Sequence, residues 1–274
     1  MNYLDSLLNI EGRVAVLTGG GGILVSEMAK GFANAGTKVV LLDINLENAE
    51  KKADSLRMIN EHVIALQCNV LDEANLHDVH DEIIKRFGRI DILVNGAGGN
   101  MSGATIGEDQ TIFDLKIENF KKVTDLNLNG TVLPTLVMSK SMADQKSGSI
   151  INISSMASYR AISRVVGYSA AKAAIDNFTR WMAVEMATKF GNGIRVNAIA
   201  PGFLITDQNR TLLTNKDGSL TKRGETILNL TPFKRFGEPG EMVGPVLWLA
   251  SDAAKFVTGT VIPIDGGFSA FSGV

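Results

Sequence analysis

Short, continuously apolar stretches alternate along the chain with longer amphipathic segments, and most of the apolar stretches end in Gly, Asn or Asp. A strand that is apolar on both faces is typical of a parallel sheet covered by helices on both sides. The pattern therefore predicts an α/β fold, a Rossmann-like, doubly wound, seven-stranded parallel sheet. The predicted strands are 13–19, 38–43, 62–68, 91–98, 149–154, 194–202 and 260–267.

No repeat, low-complexity tract or linker divides the chain, so we expect a single domain over residues 1–274. The stretch at about 203–236 is polar and carries Asn, Asp, Gly and Pro signals. We interpret it as an excursion that forms a lid over the ligand site. The segments 117–143 and 167–190 are predicted long helices with more apolar residues than one sheet face needs.

Composition narrows the class of protein. The chain has 274 residues, 45% of them hydrophobic, and a formal net charge of -2, which indicates a globular protein without a basic field for nucleic acid. A single cysteine, Cys68, excludes an internal disulfide and is typical of a reducing compartment. No apolar stretch approaches the roughly 20 residues of a membrane span, and the N-terminus lacks a leader pattern. We expect a cytoplasmic protein without nucleic-acid or membrane partners, and its three scattered histidines predict no metal site.

A glycine run follows the first predicted strand. Thr18 and the glycines from Gly19 to Gly22 lead into a predicted helix, whose free N–H groups can receive a pyrophosphate. Asp43 ends the second strand, where a carboxylate accepts hydrogen bonds from a ribose and repels a 2′-phosphate. These residues predict a dinucleotide site with NAD favoured over NADP. The alternatives are a flexible tight turn for the glycines and, for Asp43, a turn or helix-capping role.

Ser155, Tyr168 and Lys172 form the candidate catalytic group. If Tyr168 opens a helix, Lys172 lies one turn further on the same face, where its ammonium favours the ionised phenol. A free tyrosine has a pKa of about 10, so catalysis near neutral pH needs that help. Ser155 would hold a substrate oxygen while Tyr168 exchanges a proton with it. The alternative is two residues of an amphipathic helix and a strand-end cap.

Taken together, the motifs resemble the single-domain short-chain dehydrogenase/reductases, and the resemblance runs essentially end to end. It implies NAD(P)-dependent oxidation of an alcohol or reduction of a carbonyl. The motifs that carry it are Thr18 with its glycines, Asp43, Asn95-Gly96-Ala97-Gly98, Asn127, Ser155, Tyr168 with Lys172, Pro201-Gly202, Thr206 and Asp265-Gly266-Gly267.

The resemblance also implies individual roles. Tyr168 resembles the general acid/base, Lys172 the residue that lowers its pKa and holds the nicotinamide ribose, and Ser155 the residue that orients the substrate oxygen. Asn127 matches an asparagine that supports a water leading from the lysine to solvent. The cofactor contacts that the resemblance implies, besides Tyr168 and Lys172, are Gly19, Gly22, Ile23, Asp43, Ile44, Asn69, Val70, Asn95, Gly96, Ala97, Gly98, Pro201, Leu204 and Thr206.

Four positions depart from the family pattern. Ile23 and Val25 stand where the family places glycines, so we expect Val25 to push the phosphate or the helix outward. Gly96 replaces a frequent asparagine. Asn69 stands where an aspartate is common, and its amide can still hydrogen-bond an adenine.

The substrate is predicted from polar side chains near the motifs. Guanidinium groups suit a carboxylate, and amides suit sugar hydroxyls, although these residues could equally be solvent-facing charges. The candidates are Asn100, Arg160, Arg164 and Arg210, with Gln208 and Asn209 as further donors.

Several local sequences are similar to a branch of D-mannonate oxidoreductases, or D-fructuronate reductases, namely GGGGIL, NGAGGN, APGFLITDQNR, TPFKRFGEP and DGGFSAFSGV. This likeness implies a hydroxy or keto sugar acid as the small-molecule substrate. A gluconate 5-dehydrogenase-like enzyme is the alternative, and an acyl-carrier-protein ketoreductase is less favoured. A nucleotide-sensing regulator and a nucleotide-sugar epimerase are more remote. The family's habit of packing subunits through its long helices implies a homotetramer, or else a dimer.

Overall fold

The computed structural model describes residues 3–206 and 210–274. Seven strands form one parallel sheet in the order β3-β2-β1-β4-β5-β6-β7. The prediction of a doubly wound parallel sheet is therefore confirmed. The strands are β1 (Val14–Thr18), β2 (Lys38–Asp43), β3 (Val63–Gln67), β4 (Ile92–Asn95), β5 (Gly148–Ile153), β6 (Ile194–Pro201) and β7 (Val261–Ile264).

Eleven α-helices connect and flank the strands in the described ranges. They are α1 (Tyr3–Leu8), α2 (Ile23–Asn34), α3 (Leu46–Arg57), α4 (Glu73–Phe87), α5 (Ile117–Thr124), α6 (Gly130–Gln145), α7 (Met156–Tyr159), α8 (Val166–Phe190), α9 (Arg210–Leu213), α10 (Lys222–Leu230) and α11 (Val243–Ala250). Where one long helix is predicted at 117–143, a π-helical turn at Asp125–Asn129 separates α5 from α6. None of the helices within 3–206 and 210–274 is both long and apolar enough to cross a bilayer.

The core consists of one apolar layer on each face of the sheet. Helices α2, α3 and α11 pack on one face, and helices α4, α6 and α8 pack on the other. Successive residues of β1 alternate between the layers, so Ala15 and Leu17 face the first while Val14 and Val16 face the second. This double burial is why the strands are continuously apolar instead of alternating.

The strand order reverses at β1, which lies between β2 and β4. In parallel sheets a ligand crevice forms outside the carboxyl ends of the strands at such a reversal. Thr18, the last residue of β1, is aligned with Asn95, the last residue of β4, and Asn95 is aligned with Asn152 of β5. Every predicted catalytic and cofactor segment thus leaves the sheet at the same edge.

The polar segment after β6 contains two short helices, α9 and α10. Leu204 forms a parallel bridge with Gly237, and Thr214 forms an antiparallel bridge with Leu220. The Thr221 side chain accepts a hydrogen bond from the Gly224 N–H at 3.1 Å and so caps α10. The two ends of the segment are therefore joined at its base, and the segment has its own hydrogen-bonded structure further out.

Candidate active site

The turn from β1 to α2 leaves no room for side chains. Gly19 has a φ of +75°, and a Cβ there would lie 2.9 Å from the Cα of Ala97. A Cβ on Gly20 would lie 2.7 Å from the Cβ of Leu41. The Thr18 Oγ1 accepts hydrogen bonds from the N–H groups of Gly96 and Ala97, both at 3.1 Å. The turn is thus a backbone cradle, wedged between β2 and the segment after β4.

The first turn of α2 has the features of an anion site. Gly22 is its N-cap and supplies no side-chain hydrogen bond, and the first turn carries no acidic residue. The N–H groups at this end, together with the helix dipole, favour a negative group. Cradle and helix end together fit the pyrophosphate of a dinucleotide. Ile23, the first helical residue, is partly exposed.

Asp43 lies beside this cradle. Its Oδ2 accepts the Gly21 N–H and its Oδ1 accepts the Asn45 N–H, each at 2.9 Å. Asn45, not Asp43, caps the following helix α3, since its side chain accepts the Asn48 N–H. The helix-capping alternative for Asp43 is therefore wrong, whereas the turn alternative is borne out by the bond from the Asn45 N–H. The other carboxylate oxygen faces the turn that would receive the cofactor. Ile44 follows, with 65% of its surface exposed.

The turn after β3 places two more predicted cofactor contacts. The Asn69 Oδ1 accepts the Leu71 N–H at 3.1 Å, so part of its amide is used to shape the turn. Val70 is buried and faces Gly130, where an added Cβ would lie 3.0 Å from its Cγ2.

The expectation that Val25 pushes the phosphate or the helix outward is wrong. Val25 is 4% exposed and points into the core against Gly96. A Cβ on Gly96 would lie 2.4 Å from the Val25 Cγ2. The two departures from the family pattern therefore compensate each other. The Val25 side chain occupies space that a side chain at position 96 would need, and Gly96 leaves that space open.

Ser155 and Tyr168 meet at the carboxyl end of β5. Ser155 caps the short helix α7, and its Oγ accepts the Ala157 N–H at 3.1 Å. Tyr168 lies in the first turn of α8, with its phenol beside the Ser155 side chain. Burial raises the pKa of the Tyr168 phenol, and the neighbouring Ser155 hydroxyl opposes that shift.

Lys172 lies one turn beyond Tyr168, on the same helix face, as predicted. It is 5% exposed; its Nζ donates to the Ile153 carbonyl at 2.7 Å and lies 5.5 Å from the centre of the Tyr168 ring. Burial lowers the pKa of Lys172 to about 8, against the opposing effect of Asp176. Contrary to the expectation that Lys172 lowers the pKa of Tyr168, the net direction is upward, because burial of the phenol is the largest effect on it.

Asn127 lies within the π-helical turn and is fully buried. Its Nδ2 donates to the carbonyls of Gly99 and Val123 at 2.8 Å, and its Oδ1 accepts the Gly99 N–H at 3.1 Å. A Cβ on Gly98 would lie 2.7 Å from that Oδ1 and 3.7 Å from the Lys172 Nζ. The π-turn, a feature often found at functional sites, thus brings Asn127, the turn after β4 and Lys172 together.

A buried polar network lies beneath these groups, and the sequence analysis missed it. The Asn95 Nδ2 donates to Thr135 Oγ1 and to Asn152 Oδ1, and the Asn152 Nδ2 donates to Thr179 Oγ1, all at 2.8 Å. Asn152 interrupts an otherwise apolar strand, which was the available signal. The network joins β4 and β5 to α6 and α8 under the catalytic residues.

Asp176 is a second missed residue. It is 6% exposed and lies one turn beyond Lys172 on α8, where its Oδ1 accepts the Ser154 hydroxyl. Ser158 in turn donates its hydroxyl to the Ser155 carbonyl at 2.7 Å. The buried carboxylate therefore anchors the residue before the catalytic serine. Its signal was its spacing of four residues from Lys172.

The end of β6 supplies the remaining cofactor candidates. Pro201 is buried at the strand end, and a Cβ on Gly202 would lie 2.6 Å from the Asp265 Cα, so this glycine permits close approach to the last motif. Leu204 is 7% exposed and bridges to Gly237, while Thr206 is partly exposed.

The predicted substrate residues do not all converge. The Arg160 Nη2 donates to the carbonyls of Ser269 at 2.6 Å and Phe271 at 3.4 Å, so it holds the C-terminal segment of its own chain. The Asn100 Nδ2 donates to Thr105 Oγ1 at 2.6 Å, while its buried Oδ1 has no hydrogen-bond partner among residues 3–206 and 210–274. Gln208 and Asn209 lie outside the described residues.

The other two arginines differ from each other. Arg164 is one quarter exposed and donates to the Ile106 carbonyl at 2.7 Å and to Glu108 at 3.3 Å. Arg210 begins α9 and is exposed.

This fold and these groups define a dinucleotide-dependent oxidoreductase site. A glycine cradle, a helix N-terminus and Asp43 lie at one end, and Ser155, Tyr168 and Lys172 lie at the other. The same carboxyl edge of the sheet presents both ends, which is where such sheets bind ligands.

Comparisons with known proteins agree. A family model described as enoyl-(acyl carrier protein) reductase matches residues 24–269. The oxidoreductase UxuB of Bacillus subtilis, which is described as uncharacterized, is 42% identical, over 97% of this chain and 98% of that protein. The chain belongs to the short-chain dehydrogenase/reductase family, and it is an oxidoreductase enzyme.

Two solved structures extend the comparison. The structure of a proposed D-mannonate oxidoreductase of Haemophilus influenzae, with bound NAD, has a TM-score of 0.91 and 42% identity, covering 97% of this chain and 98% of its own. A proposed NAD(P)-dependent gluconate 5-dehydrogenase of Beutenbergia cavernae, with NADP at low occupancy, has a TM-score of 0.84 and 30% identity, covering 96% and 99%. The predictions of the family and of a nicotinamide cofactor are confirmed.

Proposed function

We propose that the protein is an NAD(H)-dependent oxidoreductase that interconverts a secondary alcohol and a ketone on a sugar acid of the D-mannonate/D-fructuronate type. The observation that carries the reaction class is the meeting of Ser155, Tyr168 and Lys172 beside a backbone cradle for a dinucleotide. A non-catalytic nucleotide sensor has no need for this complete set.

The predicted cofactor residues would hold NAD at its pyrophosphate and at both of its riboses. The cradle at Gly19 and Gly22 with the first turn of α2 would hold the pyrophosphate, and Asp43 would accept the adenosine ribose hydroxyls. Lys172 would hold the nicotinamide ribose. When bound, NADH supplies a hydride to the carbonyl carbon of the substrate.

The chain's own residues manage the substrate oxygen and its proton. Ser155 donates a hydrogen bond to the ketone oxygen and holds it beside the phenol of Tyr168. Tyr168 then gives its proton to that oxygen, and in alcohol oxidation takes it back. Because burial raises the pKa of Tyr168, its side chain is held as the protonated phenol, which can act as the acid in ketone reduction. Asn127 fixes the turn beside Lys172. After proton transfer, the Tyr168 phenolate would regain its proton by way of Lys172.

NAD is favoured over NADP by the charge at the end of β2. The Asp43 carboxylate is held at the cradle by the N–H groups of Gly21 and Asn45, so it cannot readily turn away from a 2′-phosphate. The NAD in the structure from Haemophilus influenzae supports this choice.

The sugar-acid substrate is supported by the description of that same relative and by the arginines near the catalytic loop. A second candidate is a gluconate 5-dehydrogenase-like reaction, favoured by the likeness to the Beutenbergia cavernae structure. Both candidates share the ketone–alcohol chemistry and differ in the substrate.

Further proposals concern the assembly and its setting. Apolar residues on α6 and α8 are exposed, with Leu136 at 55%, Trp181 at 59% and Val184 at 64% of their surface. We propose that these helices pack subunits in a homotetramer, with a dimer as the alternative. The segment at about 203–236 would close over the substrate as a lid. The buried, unpaired thiol of Cys68 suits a cytoplasmic enzyme.

The test measures NADH oxidation with D-fructuronate, 5-ketogluconate and simple ketones, using Tyr168→Phe and the matched control Tyr159→Phe. Tyr159 is suited to the control because its hydroxyl donates to the Val261 carbonyl, away from Ser155. We expect Tyr168→Phe to lose at least about 100-fold in turnover, the lower range for a general acid, and Tyr159→Phe to keep it. Activity that survives Tyr168→Phe would refute the assigned proton donor. Activity confined to simple ketones would refute the sugar-acid substrate.

A further inference from the structure

The segment at about 203–236 contacts the catalytic loop through Arg223 and Ser163, next to Arg164. Arg223 is the second residue of α10, and its Nη1 donates to the Ser163 Oγ at 3.2 Å. Ser163 and Arg164 lie in the loop that leads from Ser155 to Tyr168. The first turn of α10 therefore rests directly on the loop that positions the catalytic serine and tyrosine.

The charges at this contact are unbalanced. Arg223 is partly buried and has no carboxylate within 4.0 Å in the part of the chain that the structure describes. Arg164 has one acidic partner, Glu108, at 3.3 Å, and that side chain is 84% exposed. Burial lowers the pKa of Arg223 and the nearby charge of Arg164 lowers it further, while Glu108 opposes them. Within residues 3–206 and 210–274, two guanidinium groups thus face one solvent-screened carboxylate.

The backbone aims Arg164 at this place. Its φ is +76°, in the left-handed region that a side chain other than that of glycine, asparagine or aspartate seldom adopts. Its Nε donates to the Ile106 carbonyl at 2.7 Å, and its own carbonyl accepts the Ile106 N–H at 2.9 Å. Residues held in such conformations are concentrated at ligand clamps and active sites. The guanidinium is held through Nε by Ile106 and through Nη1 by the exposed Glu108, so among the described residues Nη2 is the nitrogen left for a ligand.

We propose that Arg223 and Arg164 bind the carboxylate of the substrate, with Arg223 as the residue that gives the enzyme its preference for acids over neutral ketones. The inference rests on the proposed sugar-acid function. A planar carboxylate is the anion that guanidinium forks bind best, and one placed between these side chains would balance the excess positive charge. Arg223 was absent from the predicted substrate residues.

Arg223 and Arg164 would also orient the substrate relative to Ser155 and Tyr168. In a keto sugar acid of the D-fructuronate type, the carboxylate and the ketone lie toward opposite ends of the carbon chain. Ser155 and Tyr168 hold the ketone end, and the arginine pair, on the same loop and on the lid, holds the acid end. Binding of the acid would therefore draw α10 onto the catalytic loop.

The experiment compares a keto sugar acid with its uncharged methyl ester or amide, at saturating NADH, in wild type, Arg223→Gln and Arg223→Lys. Lys222→Gln is the matched control, because Lys222 is an exposed cation on the same helix turn. We expect Arg223→Gln to raise the KM for the acid about tenfold or more and to leave the KM for the neutral analogue within about twofold. Arg223→Lys should recover part of the loss, and Lys222→Gln should behave as wild type.

The outcomes separate this inference from the proposed function. If wild type prefers the acid and Arg223→Gln keeps that preference, the arginine assignment is overturned while the sugar-acid function stands. An equal rise in KM for acid and neutral analogue means that Arg223 only docks the lid, which also overturns it. If wild type itself prefers the neutral analogue, the sugar-acid function fails and the inference fails with it.

Discussion

The contact between Val25 and Gly96 allows a quantitative test of how the cofactor turn is built. In Gly96→Ala the new Cβ would lie 2.4 Å from the Val25 Cγ2 and 2.9 Å from the Thr18 carbonyl oxygen. Contacts this short force the turn or α2 to move, and overpacking of this kind destabilises by about 1–3 kcal/mol. The φ of Gly96 is not in the left-handed region, so alanine adds no backbone strain of its own.

The reciprocal change removes volume. Val25→Ala deletes two buried carbon groups at about 0.8 kcal/mol each, and the space left behind adds to that loss, for about 2 kcal/mol in total. In the double variant the alanine at position 96 occupies part of the space left at position 25. We expect the double variant to be destabilised by about 2 kcal/mol, where simple addition of the two single effects predicts about 4 kcal/mol.

Guanidinium unfolding of the four proteins, without cofactor and at equal concentration, measures this coupling. In thermal unfolding of the same proteins, a loss of about 2 kcal/mol should lower the Tm by about 4–8 °C for a chain of this size. The KM for NADH should follow the same order, because Gly96 and Ala97 are hydrogen-bonded to Thr18 at the start of the cradle. Single effects that add to within about 0.5 kcal/mol would show that the two positions are independent and that the compensation is wrong.

Three further predictions follow from single residues of the site. Burial lowers the pKa of Lys172 from 10.5 to about 8, so between these pH values the unfolded chain binds more protons and the free energy of unfolding rises with pH. Lys172→Met should lose that part of the rise, up to about 1.4 kcal/mol per pH unit, in unfolding curves measured between pH 8 and 10.5. Asp43→Asn should raise kcat/KM for NADPH relative to NADH by about tenfold or more because the charge that repels a 2′-phosphate is gone, and an unchanged ratio would contradict its role. Thr18→Val keeps the side-chain shape but leaves the Gly96 and Ala97 N–H groups without an acceptor, so the free energy of unfolding should fall by about 2–4 kcal/mol. A fall below about 0.5 kcal/mol would mean that these N–H groups find other partners.

The sheet was predictable because its strands are short and buried on both faces. β2 has the predicted bounds, while β4 and β7 each end three residues earlier than predicted. In both cases the predicted end included glycines, Gly96 and Gly98 after β4 and Gly266 and Gly267 after β7, where the chain turns out of the sheet toward the site. Apolar patterning finds a strand, but it does not locate the residue at which a functional turn begins.

The parts of the site that escaped prediction depend on contacts between distant segments. Val25 and Gly96 are adjacent only because β1 pairs with β4, so the bulky residue in the first turn was expected to disturb the phosphate. Arg223 lies in a polar segment where a charged residue is ordinary, and only the fold places it against Ser163. The π-turn around Asn127 adds one residue to a helix whose apolar pattern continues on both sides.

The hold of Arg160 on the carbonyls of Ser269 and Phe271 has a practical consequence for handling the enzyme. Arg160 follows the short helix that Ser155 caps, so we expect a purification tag or fluorophore fused after Val274 to disturb this contact and the loop of the candidate active site. The helix α1, none of whose residues is buried, offers a safer point of attachment. Kinetic constants from carboxyl-terminally tagged protein will therefore differ from those of protein tagged at the amino end.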